Sequence, residues 1–251
     1  MLNIVIPMAG KGSRFLDAGR SVPKPLIAID GLPVIRYVID NLKPDLPHRF
    51  IFLCRREHIA GHGIDRLLRE LEPDCEIIPL DNVTEGAACT VLLAKDLIDN
   101  DEPLMVANSD QLVDADINAY LASMKDSDGL IMTMRADDPK WSFVRLDGQG
   151  RVREVAEKRV VSNEATVGIY NFRHGRYYVE AAEAMIRKEL RVNGEFYVAP
   201  VYNEMIGSGR EVVIFNAGAE FDGMYGLGIP ADVDRFAKMG IAKRFLKDRA
   251  R

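Results

Sequence analysis

Ile4-Val-Ile-Pro-Met-Ala-Gly-Lys-Gly-Ser-Arg-Phe15 leads to Pro23-Lys24-Pro25-Leu26, with Lys24 ten residues after Arg14. The apolar run predicts a buried strand. It opens into a loop, Ala9-Gly10-Lys11-Gly12-Ser13, whose glycines lack a Cβ and so let backbone N–H groups turn toward an anion. Arg14 can grip phosphate oxygens bidentately, and Lys24 acts as a point charge. The set suits a triphosphate. Two glycines taken alone also fit a surface turn before a proline-stiffened connection. The chain has neither Gly-x4-Gly-Lys-[Ser/Thr] nor Gly-x-Gly-x-x-Gly, which excludes a P-loop and a dinucleotide fingerprint.

Outward from this stretch, short apolar runs alternate with amphipathic ones. Strands are expected at residues 3–8, 49–54, 75–80 and 104–107, with helices at 34–42, 64–71 and 87–98. That alternation predicts βαβ units, and in such folds ligands sit at the carboxyl ends of the strands. After Asp128 the strands come closer together, at 130–135, 143–146 and 151–155, with Asp147-Gly-Gln-Gly150 as a turn. A helix at 177–189, a shorter one at 201–206, a strand at 211–215 and a helix from Ala231 complete the chain. The expected fold is one three-layer α/β/α domain with a mixed, mostly parallel sheet and an antiparallel extension. Residues 1–127 would be its βαβ half and residues 128–251 the half that carries the antiparallel extension.

Composition narrows the function. The 251 residues are 47% hydrophobic with a net charge of −5 and no basic cluster, which argues against a nucleic-acid partner. No apolar run approaches the ~20 residues needed to cross a bilayer. Cys54, Cys75 and Cys89 are odd in number and form no Cys-x-x-Cys. With no signal peptide before the first strand, a cytoplasmic protein is expected, and a homo-oligomer stays open.

Four further segments could carry chemistry. Thr84-Glu85-Gly86-Ala87-Ala88 puts small residues before a helix, where a flat base could lie, although Gly86 could equally only begin that helix. Leu104–Asp110 reads as a strand ending in a carboxylate suited to Mg²⁺, or in a turn cap. Asp114-Ala-Asp116 is a literal Asp-x-Asp, but Asp116 fits a helix N-cap. Glu157-Lys158 precedes another strand at Gly168-Ile-Tyr-Asn-Phe172, and alone it would be a solvated charge pair. His58 and His62 stand four apart, but Gly61 and Gly63 disfavour a helix there and hence a helical metal pair.

Taken in order, these segments resemble the signature of the sugar-phosphate nucleotidylyltransferases, Gly-x-Gly-Thr-Arg-Leu followed by Pro-Lys-x-Leu. The resemblance implies the nucleotide-diphospho-sugar transferase fold, with residues 1–127 as a nucleotide-binding half and residues 128–251 as an acceptor-binding half. It also implies transfer of a nucleoside monophosphate from a nucleoside triphosphate to a phosphorylated small molecule, a sugar 1-phosphate above all, with Mg²⁺ and release of pyrophosphate. Such an enzyme would serve nucleotide-sugar and polysaccharide biosynthesis. By position, Ala9, Gly10, Lys11, Gly12, Ser13 and Arg14 would hold the triphosphate, Lys24 the reacting phosphates, Gly86 and Ala88 the base, and Asp110 the metal. Glu157, Lys158, Gly168 and Glu195 would bind the acceptor, Glu157 taking hydroxyls and Lys158 the phosphate. The family's second metal aspartate falls on Gly226, so Asp222, four residues earlier, is the candidate replacement. A cytidylyltransferase acting on a phosphorylated alcohol or amino-acid derivative, and a glycosyltransferase that consumes a nucleotide sugar, are the alternatives.

Overall fold

The computed structural model of the chain describes residues 1–10, 12–19 and 22–247. The strands are β1 (Leu2–Met8), β2 (Ala28–Ile29), β3 (Leu32–Pro33), β4 (His48–Arg55), β5 (Glu76–Leu80), β6 (Leu104–Ala107), β7 (Gln111–Val113), β8 (Gly129–Arg135), β9 (Ser142–Leu146), β10 (Val152–Glu157), β11 (Glu164–Phe172), β12 (Val212–Glu220) and β13 (Gly223–Gly226). The helices are α1 (Ser13–Asp17), α2 (Val34–Leu42), α3 (Arg56–His62), α4 (Ile64–Leu71), α5 (Ala87–Leu92), α6 (Lys95–Ile98), α7 (Ile117–Ala122), α8 (Gly175–Arg187), α9 (Val201–Gly207) and α10 (Pro230–Met239).

A single mixed sheet of eleven strands runs β5-β4-β1-β6-β11-β8-β12-β13-β7, and β9 joins β11 to β10. β5, β4, β1 and β6 are mutually parallel, while β11 runs antiparallel to both β6 and β8. Alternation along β1 sorts the core into two layers. Ile4, Ile6 and Met8 pack on one face with α2, α4, α7 and α10, and Val5 packs on the other with α5, α8 and α9. This is the three-layer α/β/α arrangement. β2 and β3 form a separate hairpin through Asp30 and Gly31, both at positive φ (49° and 81°), as a two-residue turn requires.

Three expectations need correction. The helix expected over 87–98 is two helices, because the chain loosens at Leu93 and Ala94. Ser13, placed in the glycine loop, instead begins a helix, α1, for which no expectation was set. The expectation that Gly61 and Gly63 would prevent a helix around the histidines fails as well. Gly61 lies within α3, and Gly63, at φ 61°, is the left-handed cap that ends α3 and admits α4.

Candidate active site

The carboxyl ends of the parallel strands open on one cavity of about 940 Å³. β1 contributes Ala9, Gly10 and Gly12, β4 and α3 contribute Arg55, Glu57, His58 and His62, and β5 leads to Val83–Ala87. β6 leads to Asn108, Ser109 and Asp110, while Lys24 between prolines and Glu195 after Gly194 close the remaining sides. Gly12 takes φ 63°, a left-handed turn that glycine adopts freely, and its carbonyl accepts from the Phe15 N–H at 2.9 Å as α1 begins. Arg14 is exposed on α1 and is not among the cavity-lining residues. Lys11 lies outside the described residues.

Lys24 and Asp110, 86 residues apart, meet here: Lys24 Nζ donates to Asp110 Oδ2 at 2.7 Å. Asp110 is further fixed by the Leu227 N–H, which donates to its carbonyl at 2.7 Å. Gly228 is pressed against the carboxylate, since a Cβ there would stand 3.0 Å from Oδ2. The residue opposite Gln111 across the β7–β13 ladder is Gly226. Asp222 is not brought to this point. It is exposed at the other end of β13, four residues from Gly226, roughly 13 Å away along an extended strand. Asp116 accepts from the Asn118 N–H as the α7 N-cap, and Asp114 pairs with Arg244, so that carboxylate pair serves structure. Among the described residues no three His, Cys, Asp or Glu side chains converge as a metal cluster. Asp110 offers one carboxylate at the cavity beside Lys24, and one protein carboxylate is within the number Mg²⁺ uses when phosphates and water complete its shell.

Gly86 has two reasons to be glycine. Its φ is 140°, and a Cβ would stand 2.3 Å from the carbonyl oxygen of Phe196. The loop is stitched to Phe196 on both sides, Phe196 N–H donating to Glu85 O (2.9 Å) and Ala88 N–H to Phe196 O (3.0 Å). Ala88 is wholly buried, and its carbonyl accepts from the Tyr178 hydroxyl at 2.9 Å. It does not reach the cavity; Ala87 does.

Of the second group of expected residues Glu195 lines the cavity, whereas Glu157, Lys158 and Gly168 are not among its lining residues. The half-buried Glu157 accepts from the Ser142 hydroxyl, and burial raises its pKa. Glu195 and Lys158 are close enough to act on it electrostatically. Lys158 sits at φ 52°, uncommon for a residue with a side chain, and its Nζ donates to the Tyr197 hydroxyl at 2.6 Å. That hydrogen bond raises the lysine pKa. Gly168, at φ 84° in a bulge of β11, leaves no room for a Cβ beside Asn108 Nδ2 and Gln111 Nε2, at 2.2 and 2.6 Å. Its carbonyl accepts from the Asn108 N–H at 3.0 Å, so it supports the wall behind Asp110.

Sequence reasoning passed over Arg55, Glu57 and Tyr197, and it weighed His58 and His62 only as a helical metal pair, although both line the cavity. Arg55 and Glu57 pair at 3.0 Å, and burial beside Arg55 lowers the His58 pKa. The signal available was their place directly after a strand parallel to β1.

The chain is 26% identical over 259 residues to the bifunctional protein GlmU of Ralstonia nicotianae, an alignment covering 98% of this chain and 54% of that protein. The chain thus spans about half the length of the curated relatives it matches. Its fold superposes with a TM-score of 0.82 on a nucleoside-diphosphate-sugar pyrophosphorylase from Vibrio cholerae, at 26% identity over 94% of this chain and 99% of the other. The inositol-1-phosphate CTP transferase of T. maritima shares the fold at a TM-score of 0.76 and 17% identity, with 98% of each chain covered. No helix among the described residues is long and apolar enough to cross a membrane. The sequence pattern of the nucleotidyl transferase family matches residues 4–197, and the chain belongs to that family.

Proposed function

We propose that the protein transfers a nucleoside monophosphate from a nucleoside triphosphate to a sugar 1-phosphate. A phosphate oxygen of the acceptor bonds to the α-phosphorus, the bond from that phosphorus to the bridging oxygen breaks, and pyrophosphate leaves. Such a transfer asks for positioning and charge neutralisation more than for proton transfer. The observation that carries the reading is the Lys24–Asp110 pair beside the glycine loop, in one cavity with Glu195. Backbone N–H groups at 9–12 and Arg14 would take the outer phosphates, Lys24 the reacting ones, and Thr84–Ala87 the base. Mg²⁺ would be held by Asp110 with phosphate oxygens and supplies neutralisation of their charge. Lys158 would meet the acceptor phosphate, and Glu157 and Glu195 its hydroxyls.

A second reading, in which the acceptor is a phosphorylated alcohol, is favoured by Gly226, where the family carries a carboxylate. Both readings are tested by assaying pyrophosphate release from ATP, CTP, GTP and UTP against sugar 1-phosphates and phosphorylated alcohols with Mg²⁺. Release that needs a sugar 1-phosphate is expected. Release only with phosphorylated alcohols selects the second reading. No release with any pair, together with hydrolysis or transfer from a nucleotide sugar, overturns both in favour of a glycosyltransferase.

A further inference from the structure

Lys24 lines the cavity and Lys158 is exposed outside that lining, and the partners of the two cations differ in kind. Lys24 is charge-paired with Asp110. Lys158 is held by a neutral phenol, although Glu157 and Glu195 stand close enough to interact with it. The Tyr197 ring lies under the same ammonium, 4.8 Å from its centroid. A flexible four-carbon side chain is costly to order, and its ammonium gravitates toward the nearest carboxylate. From this contrast we infer that Tyr197 is a positioning residue for Lys158: it orders the ammonium without neutralising it, leaving a full positive charge and two N–H donors for the phosphate of the acceptor. This rests on the proposed role of Lys158 as the acceptor-phosphate cation.

Three further observations bear on it. The left-handed backbone of Lys158 costs energy that only a constrained site retains. Its N–H donates to the Trp141 carbonyl at 3.1 Å, so both ends of the residue are tied down. Tyr197 is itself anchored, because the neighbouring Phe196 is hydrogen-bonded on both sides to the loop at Glu85–Ala88. Arg191 reinforces that seam, with its guanidinium 4.1 Å from the Phe196 ring centroid and 2.6 Å from the Glu85 carboxylate. The acceptor cation is thus referenced through two consecutive residues to the loop expected to hold the base.

Methyl phosphate, the simplest phosphomonoester, is the probe. Its dissociation constant is measured by emission of Trp141, the chain's single tryptophan and a neighbour of Lys158, and independently by saturation-transfer NMR. Tyr197→Phe keeps the ring and removes the hydroxyl, so binding is expected to weaken about tenfold, as for loss of one hydrogen bond to a charged group, with no change in unfolding midpoint. Lys158→Ala is expected to weaken binding at least as much, and the double variant no more than Lys158→Ala alone, because the tyrosine acts only through the lysine. Unchanged binding in Tyr197→Phe beside weakened binding in Lys158→Ala overturns the inference while leaving the site reading intact, and so do additive losses. Wild-type affinity in Lys158→Ala, or no binding to the wild type, overturns the site reading and the inference with it.

Discussion

The two halves proposed for the site, one for the nucleotide and one for the acceptor, handle charge in opposite ways. In the nucleotide half, the proline-flanked turn at Lys24 and the loop leaving β6 bring Lys24 and Asp110 to one point, where they satisfy each other at 2.7 Å. In the acceptor half, bulged and antiparallel strands deliver Lys158 to a neutral hydroxyl and leave Glu157 and Glu195 as acceptors nearby. The first arrangement suits a ligand that arrives with many negative charges and can divide an ion pair, the lysine going to phosphate and the carboxylate to Mg²⁺. The second suits a ligand with a single phosphate, for which a neutralised lysine would offer little.

The largest expected effect tests the nucleotide half. Lys24→Ala and Asp110→Asn are each expected to lower pyrophosphate release about a hundredfold or more, ~3 kcal/mol of transition-state stabilisation, with the fold retained. Asp222→Asn, exposed at the far end of β13, is expected to stay within twofold of wild type. If Asp222→Asn matches Asp110→Asn in initial rate, the metal is held from both ends of β13 and the one-carboxylate assignment fails.

Next in size is the seam between the halves. Gly86→Ala would force a Cβ into the Phe196 carbonyl at a φ that L residues avoid, and a loss of about 2–3 kcal/mol in unfolding free energy is expected. Its consequence should reach both ligands, since Glu85–Ala88 and Phe196 share hydrogen bonds. Denaturant titration measures the first part, and binding of nucleotide and methyl phosphate to the surviving folded protein the second. Weakened nucleotide binding with unaltered methyl phosphate binding would show that the halves are mechanically separate.

The nucleotide half was more legible than the acceptor half, for physical reasons. Periodicity gave the bounds of α2, α4 and β6 without error, because their buried positions recur at 3.6 residues or form one short apolar run. Gly12 and Gly86 announce special backbone, and at both the positive φ is present. The Asp110–Lys24 contact is non-local, and the sequence reading gave the two residues separate ligands, phosphate and metal, without pairing them. Tyr197 was invisible, since nothing in Phe196-Tyr-Val says that its hydroxyl meets a lysine 39 residues away. The helix across Gly61 was misjudged because a glycine penalty of about 1 kcal/mol is small against the docking of α3 on the sheet and a well-formed cap at Gly63.

The smallest effect bears on the acceptor half, through pH. Burial raises the Glu157 carboxyl above its ordinary value, against the opposing influence of the Ser142 hydrogen bond and Lys158. The folded protein therefore holds that proton more tightly than the unfolded chain does. The stability this provides is complete below the unfolded value of about 4.3 and is lost as pH rises through the higher native value. Glu157→Gln carries a neutral group of the same shape at every pH, so it should match the wild type near pH 4 and exceed it at neutral pH by about 2 °C in Tm. Acceptor binding should move the other way, because the amide replaces one acceptor oxygen with a donor. A wild type that gains on Glu157→Gln as pH rises would mean that the carboxylate is held chiefly by Lys158. Lys158 would then be neutralised like Lys24, and the contrast between the two halves would disappear.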